Sequence, residues 1–247
     1  MKQLVAFDLD GTLALSKQPL LEDMGEALAD LLGVAHVAVI SGGDWPQFQK
    51  QVASRLPERA DRTRLWLMPT TGTKLYTYKD EWAPVFAELF SDEERRNIVE
   101  AFAASLAATG FKPERTWGDQ VEDRGSQVTF SALGQQAPLE EKEHWDPDFA
   151  KRKVIQADLA KRLPGLSINM GGATSIDITR QGVDKAYGLK KLRDASGVPL
   201  DAMMFIGDAI FPGGNDYPAK TLGLDTVRVR DPQETISVIA AIVACQK

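Results

Sequence analysis

Near its start the chain reads Leu4-Val5-Ala6-Phe7-Asp8-Leu9-Asp10-Gly11-Thr12, an apolar run that ends abruptly in two acidic residues. The run predicts a buried strand, and the alternation of side chains along a strand places Asp8 and Asp10 on the same side. Open α/β sheets bind their ligands at the carboxyl ends of their strands, where these carboxylates lie. Asp-Gly-Thr is also ordinary turn sequence, but its position directly after a strand favours a functional site. One carboxylate can attack an electrophile while the other transfers a proton, and such oxygen ligands also suit Mg²⁺.

The composition fits a globular protein with one large domain or two smaller ones. The chain has 247 residues, of which 43% are hydrophobic, and a formal net charge of −6. The negative charge disfavours non-specific nucleic-acid binding but permits local basic pockets. No apolar run resembles a signal peptide or is long enough to span a bilayer. Cys245 is the only cysteine, so an intramolecular disulfide is excluded. We expect a cytoplasmic protein without nucleic-acid or membrane partners.

Strand and helix patterns alternate at both ends of the chain. Apolar strands are predicted at residues 4–7, 34–40 and 65–68, with helical periodicity between them. The same alternation resumes after residue 184, with an apolar strand at 202–206. This βαβ rhythm predicts a parallel sheet covered by helices.

The middle of the chain has a different pattern. Helices are predicted at residues 92–108 and 149–162, each followed by two extended segments, and this order is typical of an α+β domain on a small antiparallel sheet. The predicted extended segments are residues 112–117, 127–132, 167–170 and 175–179. We therefore predict an α/β fold in which a parallel-sheet core is split by an inserted α+β domain. The core would comprise residues 1–82 and 184–247, and the insert residues 83–183.

Three later segments add residue types that bind phosphate or metal. Ser41-Gly42-Gly43 follows a predicted strand, and its hydroxyl and free N–H groups suit a phosphate. Lys185 begins a predicted helix and can neutralise a phosphate as a point charge. Another strand ends at Gly207-Asp208, and Gly213-Gly214-Asn215-Asp216 follows. Each segment alone is also ordinary loop or surface sequence. Together they predict a Mg²⁺ site at Asp8 and Asp208, with Ser41 and Lys185 holding a phosphoryl group beside it.

The order of these motifs resembles that of the haloacid dehalogenase superfamily of phosphotransferases. The resemblance covers both ends of the chain, and the insert lies where members with a large α/β cap, of the type called IIB, carry theirs. It implies a Rossmann-like core that carries the nucleophile, Asp8, and the general acid/base, Asp10. The implied phosphate and substrate contacts are Thr12, Ser41, Gly42 and Lys185. The implied Mg²⁺ ligands are Asp8, the main-chain carbonyl of Asp10, and Asp208, supported by Asn215 and Asp216.

Further segments extend through the insert. They are Val121-Glu122-Asp123-Arg124-Gly125, Ser131-Ala132-Leu133-Gly134-Gln135, Gly171-Gly172-Ala173-Thr174-Ser175-Ile176-Asp177, Gly182-Val183-Asp184-Lys185 and Pro212-Gly213-Gly214-Asn215-Asp216. They resemble eukaryotic-type phosphomannomutase, a family in which cap arginines and a Ser/Asp pair bind the distal end of the sugar phosphate. The resemblance assigns this role to Arg124, Ser175 and Asp177, and to Lys142 in place of a further arginine. The chain departs from the family at Gln135, where an arginine is expected, and at Ser41, where a glycine is expected.

These departures decide the functional prediction. A mutase must hold phosphate firmly at both ends of its substrate, and Gln135 weakens the distal end. We therefore predict a Mg²⁺-dependent phosphomonoester hydrolase that acts on a hexose phosphate, such as mannose 6-phosphate, through an aspartyl-phosphate. The alternative is a phosphomannomutase or phosphohexomutase that interconverts hexose 1- and 6-phosphates. A non-catalytic sugar-phosphate sensor is disfavoured because all the expected catalytic and metal-binding residues are present. A homodimer formed through the cap is a further expectation.

Overall fold

A seven-stranded sheet organises the first of the two units into which the chain divides. The computed structural model describes residues 2–171 and 174–246. The first unit comprises the chain up to Ala87 and again from Val183 onwards, and the second unit is Glu88–Gly182. One unit is therefore built from both ends of the chain, and the other from a single continuous segment.

The elements are numbered in chain order. The strands are β1 (Leu4–Phe7), β2 (His36–Ile40), β3 (Leu65–Met68), β4 (Lys74–Tyr78), β5 (Trp82–Ala87), β6 (Val121–Asp123), β7 (Val128–Ser131), β8 (Leu166–Met170), β9 (Ser175–Arg180), β10 (Met203–Gly207) and β11 (Asp225–Arg228). The helices are α1 (Glu22–Leu32), α2 (Trp45–Gln51), α3 (Asp92–Thr109), α4 (Leu139–Trp145), α5 (Ala150–Arg162), α6 (Lys185–Ser196), α7 (Tyr217–Thr221) and α8 (Pro232–Gln246). Short 3₁₀ turns lie at Ala53–Arg55, Arg62–Arg64 and Leu200–Ala202, and a one-turn segment with left-handed residues lies at Pro69–Gly72.

The carboxyl ends of three central strands meet at one end of the first sheet. The strand order is β11-β10-β1-β2-β3-β4-β5, and β1 is parallel to both of its neighbours. Phe7, at the end of β1, is in register with Val39 of β2 and Ile206 of β10. Apolar clusters cover both faces of β1, so its residues are fully buried, as in other parallel sheets. The residues that follow β1, β2 and β10 are therefore brought together.

The first unit extends further along the chain than the sequence predicts. The expected boundary at residue 82 falls at the start of β5, and β5 pairs antiparallel with β4, from Tyr78 opposite Trp82 to Lys74 opposite Ala87. This hairpin belongs to the first sheet, so the second unit begins at Glu88. Pro84 conceals the strand in the sequence, because proline is tolerated only in edge strands such as β5.

The second unit is an antiparallel sheet with helices on one face. Its strand order is β6-β7-β9-β8. Alternate residues of the sheet, among them Val128, Phe130, Ile176 and Ile178, pack in one apolar cluster with residues of α3 and α5. The residues between them are polar and lie on the opposite face, as the period of a strand requires. Within the described part of the chain, none of the helices combines the length and apolar character needed to cross a membrane.

Candidate active site

A buried lysine joins the ends of β1 and β2. Asp8 follows β1 directly, and its N–H donates to the carbonyl oxygen of Ile206 at 3.0 Å. The Lys185 ammonium group, at the first residue of α6, donates to the Asp8 carboxylate and to the main-chain oxygen of Ile40. Its Nζ also lies 3.5 Å from Oδ1 of Asp216. The side chains of Lys185 and Asp8 are almost fully buried, so this contact is shielded from solvent.

Three carboxylates converge beside Lys185. Among the described residues, Asp8, Asp208 and Asp216 bring carboxylate oxygens within 4.8 Å of one another. The turn after β1 allows this approach because Gly11 adopts φ +86°, and a Cβ there would lie 2.7 Å from Oδ2 of Asp208. Three acidic groups facing one ammonium leave excess negative charge, and all the donors are oxygen. The cluster therefore fits a hard divalent cation such as Mg²⁺.

The pKa shifts within the cluster also favour a bound cation. Burial raises the pKa of Asp8 to about 7, because the opposing effect of the Lys185 ammonium is offset by the neighbouring carboxylates of Asp216 and Asp208. Burial and Asp216 also raise the pKa of Asp208. Burial alone would lower the pKa of Lys185, but the carboxylates of Asp8 and Asp216 outweigh it and leave that pKa raised. The carboxylates would therefore ionise more readily with a cation between them.

Two residues of the opening motif make contacts of their own. The main-chain N–H of Lys17 donates to Oδ1 of Asp10 at 2.7 Å. This bond holds the Asp10 side chain against the loop that follows Asp10 in the sequence. The hydroxyl of Thr12 lies 3.4 Å from Oδ1 of Asp208. The assignment of the Asp10 main-chain oxygen to a metal stays a prediction. Asn215 is exposed whereas Asp216 is buried, and the supporting role of Asn215 also stays a prediction.

The Ser41–Gly43 loop starts where β2 ends. Ser41 is buried and directly follows Ile40, whose carbonyl oxygen accepts the Lys185 bond. Its own N–H donates to the carbonyl oxygen of Met68 at 3.4 Å, which continues the β2–β3 pairing. Ser41 is thus one residue from the lysine contact. The loop and Lys185 form two sides of a polar site beside Asp8.

In the second unit, Arg124 and Asp177 lie on the polar side of the sheet. Glu122, Thr129 and Asp177 are in register across β6, β7 and β9. Nη2 of Arg124 lies 2.7 Å from Oε2 of Glu122, and the hydroxyl of Thr129 donates to Oδ1 of Asp177 at 2.7 Å. Burial raises the pKa of Asp177, against the opposing effects of Thr129 and the Arg124 guanidinium. This row is a polar surface with donors, acceptors and a positive charge.

Glu122 and Thr129 are absent from the sequence-based predictions. Alternation along each strand could place them on a polar face, but the cross-strand register that joins them to Asp177 cannot be read from the strands separately.

Two further predicted residues lie at other places in the second unit. Ser175 begins β9 and is in register with Ser131 of β7. Lys142, on the short helix α4, donates from Nζ to the main-chain oxygen of Gln135 at 3.2 Å. The ammonium group therefore lies beside Gln135, where the family resemblance leads us to expect an arginine. It supplies a positive charge there, but not the fork of donors that a guanidinium offers.

The fold of the chain is that of haloacid dehalogenase-like proteins. A solved haloacid dehalogenase-like hydrolase from Bacteroides thetaiotaomicron covers 98% of this chain, which spans 100% of that protein, with a TM-score of 0.65 at 15% identity. The structure of an N-terminally truncated IMP-nucleotidase from Plasmodium falciparum aligns with 98% of this chain, over 70% of the nucleotidase chain, with a TM-score of 0.71 at 17% identity. At these identities the likeness shows a shared fold.

Comparison of the sequence with known proteins assigns the chain to one family. The family model described as eukaryotic phosphomannomutase matches residues 24–245, and the chain belongs to that family. The phosphomannomutase of Schizosaccharomyces pombe is 27% identical over 98% of this chain and 94% of its own length. Phosphomannomutase 1 of Homo sapiens is 26% identical over 94% of this chain and 89% of its own length. The match includes the second unit as well as the first.

Proposed function

We propose that the protein is a Mg²⁺-dependent phosphotransferase that interconverts hexose 1- and 6-phosphates through a phosphorylated Asp8. The match to the phosphomannomutase family over residues 24–245 carries the proposal. Phosphatases and mutases of the superfamily share the chemistry of the first unit, so that unit does not separate them. The match through the second unit favours the mutase, because we assign recognition of the sugar to that unit. The comparisons thus favour the mutase over the hydrolase that the sequence predicts.

The proposed chemistry begins at Asp8. Its carboxylate oxygen forms a bond to phosphorus while the bond from phosphorus to the sugar oxygen breaks. Asp10 gives a proton to the departing sugar oxygen. In the second step Asp10 takes a proton from the free hydroxyl of a hexose monophosphate, and that oxygen attacks phosphorus and releases Asp8, which gives a hexose bisphosphate. The bisphosphate then reorients, and Asp8 takes its other phosphoryl group by the first step. Replacing the free hydroxyl by water turns the same sequence into hydrolysis.

Charge neutralisation is assigned to Lys185, the Ser41–Gly43 loop and a metal. Lys185 would bind a phosphoryl oxygen as well as Asp8, and the loop would donate from its N–H groups and the Ser41 hydroxyl. Asp8 and Asp208, with Asp216 behind them, would hold the metal. When bound, Mg²⁺ supplies positive charge that stabilises the phosphoryl oxygens in the transition state.

Recognition of the sugar phosphate is assigned to the polar face of the second unit. Arg124 is the strongest candidate for a phosphate contact, because a guanidinium is always charged and can bind two oxygens at once. Asp177 and Ser175 would accept and donate hydrogen bonds with sugar hydroxyls. The Lys142 ammonium adds a second positive charge next to Gln135.

Hydrolysis of the same substrates is the second candidate, and Gln135 favours it. An uncharged amide at this position weakens the grip on the phosphate that is not being transferred. The hexose monophosphate would then dissociate more often from phosphorylated Asp8 before its hydroxyl attacks, and water would take the phosphoryl group instead. Ser41, where glycine is expected in the family, is also typical of phosphatases in the superfamily.

A ³¹P NMR time course on mannose 1-phosphate separates the two reactions. The assay contains Mg²⁺ and a catalytic amount of hexose 1,6-bisphosphate. If the protein is a mutase, the 6-phosphate signal grows well ahead of inorganic phosphate. Inorganic phosphate as the leading product would establish the hydrolase instead. Gln135→Arg is the matched variant, because restoring the guanidinium should raise the ratio of isomerisation to hydrolysis.

A further inference from the structure

A strained turn lies behind the Ser41–Gly43 loop. Thr70 and Thr71 have φ and ψ of 48° and 47°, and of 59° and 32°, so two consecutive β-branched residues adopt the left-handed conformation. This region is unfavourable for β-branched residues because their Cβ crowds the backbone. Such strain persists only where the surrounding structure holds it, and it is concentrated at functional sites.

Contacts on both sides hold the turn in place. Thr70 is fully buried, and its hydroxyl lies 2.6 Å from the hydroxyl of Thr73, which also lies 2.8 Å from the Thr70 carbonyl oxygen. Gly72 has φ +84° and lies against the backbone of α6, since a Cβ on Gly72 would be 2.5 Å from the Cα of Gly188. The turn therefore touches the helix that carries Lys185, about one helical turn beyond it.

The turn also forms hydrogen bonds with both ends of the Ser41–Gly43 loop. The N–H of Thr70 donates to the carbonyl oxygen of Gly43 at 2.8 Å, and the N–H of Thr71 donates to that of Ser41 at 2.9 Å. Successive N–H groups point to opposite sides in an extended chain, whereas in a left-handed turn they converge. The unfavourable dihedral angles are thus what allows both bonds to reach one loop.

From these contacts we propose that Thr71 is a positioning residue, whose strained backbone fixes the Ser41–Gly43 loop relative to α6 and Lys185. The inference rests on the proposed function, because it assumes that this loop and Lys185 hold the transferred phosphoryl group. Thr71 would act through Ser41 and Gly43 and would itself transfer no proton. Its effect would be to keep the phosphate donors at the distances that transfer requires.

Two substitutions at one position test the idea. Thr71→Pro locks φ at about −65° and removes the N–H that donates to Ser41, whereas Thr71→Asn keeps the N–H in a residue type that tolerates the left-handed region. We expect Thr71→Pro to weaken binding of orthovanadate, measured by calorimetry with Mg²⁺, and to lower kcat/KM for p-nitrophenyl phosphate, each by about 10- to 100-fold. Thr71→Asn should recover most of both losses.

The controls separate positioning from stability. Phe149→Asn relieves a left-handed residue in the second unit, with φ 63°, and should change neither quantity. Gly188→Ala keeps α6 helical but places a methyl group 3.0 Å from the Thr71 carbonyl oxygen, so it should reproduce the loss even if Thr71→Pro does not fold.

The possible results distinguish failure of the inference about Thr71 from failure of the proposed function. Vanadate affinity in Thr71→Pro equal to that of the wild type would overturn the inference, as would equal losses in Thr71→Pro and Thr71→Asn. A wild-type protein that neither binds vanadate nor transfers a phosphoryl group would instead overturn the proposed function.

Discussion

Lys185 and Asp8 form an ion pair in which both side chains are at most 5% exposed. Removing one member of such a buried pair costs about 3–5 kcal/mol, because the other charge is left uncompensated. In this protein the loss of Lys185 would leave three carboxylates facing one another.

We therefore expect Lys185→Met to lower the free energy of unfolding by about 3–5 kcal/mol in the absence of Mg²⁺, with part of the loss restored by Mg²⁺. Urea denaturation with EDTA and with Mg²⁺ measures both effects. Lys74→Met is the matched control, because the partner of Lys74, Asp44, is 22% exposed. The decrease in the free energy of unfolding of Lys74→Met should be smaller than that of Lys185→Met and should not depend on Mg²⁺. A Lys185→Met loss no larger than that of the control would contradict the prediction.

Asp8→Asn should abolish turnover without unfolding the protein. The amide keeps the shape of the carboxylate but is not a nucleophile, so kcat should fall by orders of magnitude. The metal-free protein should not lose stability, since the substitution removes a buried carboxylate whose pKa is already raised to about 7, and the Lys185 charge stays compensated by Asp216. Asp10→Asn should be severely impaired, yet still become phosphorylated by an ester with a good leaving group. Acid-quench detection of phosphoprotein distinguishes the two, and normal turnover in Asp8→Asn would exclude the covalent mechanism.

The affinity for Mg²⁺ should rise with pH. The pKa of Asp8 is about 7 in the folded protein, against an ordinary value of 3.8. The native state therefore binds more protons than the unfolded state between about pH 4 and 7, and the metal-free protein loses stability as pH rises through that window. Because Mg²⁺ requires the ionised carboxylate, its binding should release protons at about pH 6 and tighten up to about pH 7. Calorimetry in buffers of different ionisation enthalpy measures this release, and an affinity independent of pH would refute the prediction.

Substitutions on the polar face of the second unit should depend on the substrate. Arg124→Ala and Asp177→Ala should lower kcat/KM for hexose phosphates by at least about tenfold, because a charge-assisted bond is worth about 1.5–3 kcal/mol. They should change kcat/KM for p-nitrophenyl phosphate much less, because that ester lacks a sugar. Arg96→Ala, at an exposed position of α3, serves as the control. Equal losses on both substrates would indicate that Arg124 and Asp177 only stabilise the fold.

The sequence was most informative where the parallel sheet determines position. Asp8, Ser41 and Asp208 each follow an apolar strand, and the carboxyl ends of adjacent parallel strands must meet. Their proximity could be predicted without knowing the register.

Irregular segments were less predictable. The strand predicted at residues 112–117 is wrong: the segment contains Pro113, which lacks an N–H, and its Trp117 N–H instead donates to the carbonyl oxygen of Leu133 at 2.8 Å. The short helix α4 was missed because so few residues establish no clear period. The left-handed conformation of Thr71 was hidden as well, since a threonine does not signal positive φ.

The placement of β1 between β2 and β10 has a consequence for the order of folding. The ribosome makes β1 before the long segment that separates it from its partner β10 (Met203–Gly207), so the central strand of the sheet remains half-paired until that segment and β10 have been made. Glu88–Gly182, in contrast, is continuous and has its own apolar cluster, so it can fold while synthesis proceeds. We expect the exposed edge of β1 to be the aggregation-prone surface of the nascent protein, and closure of the first sheet, which joins distant parts of the chain, to be a slow step of folding.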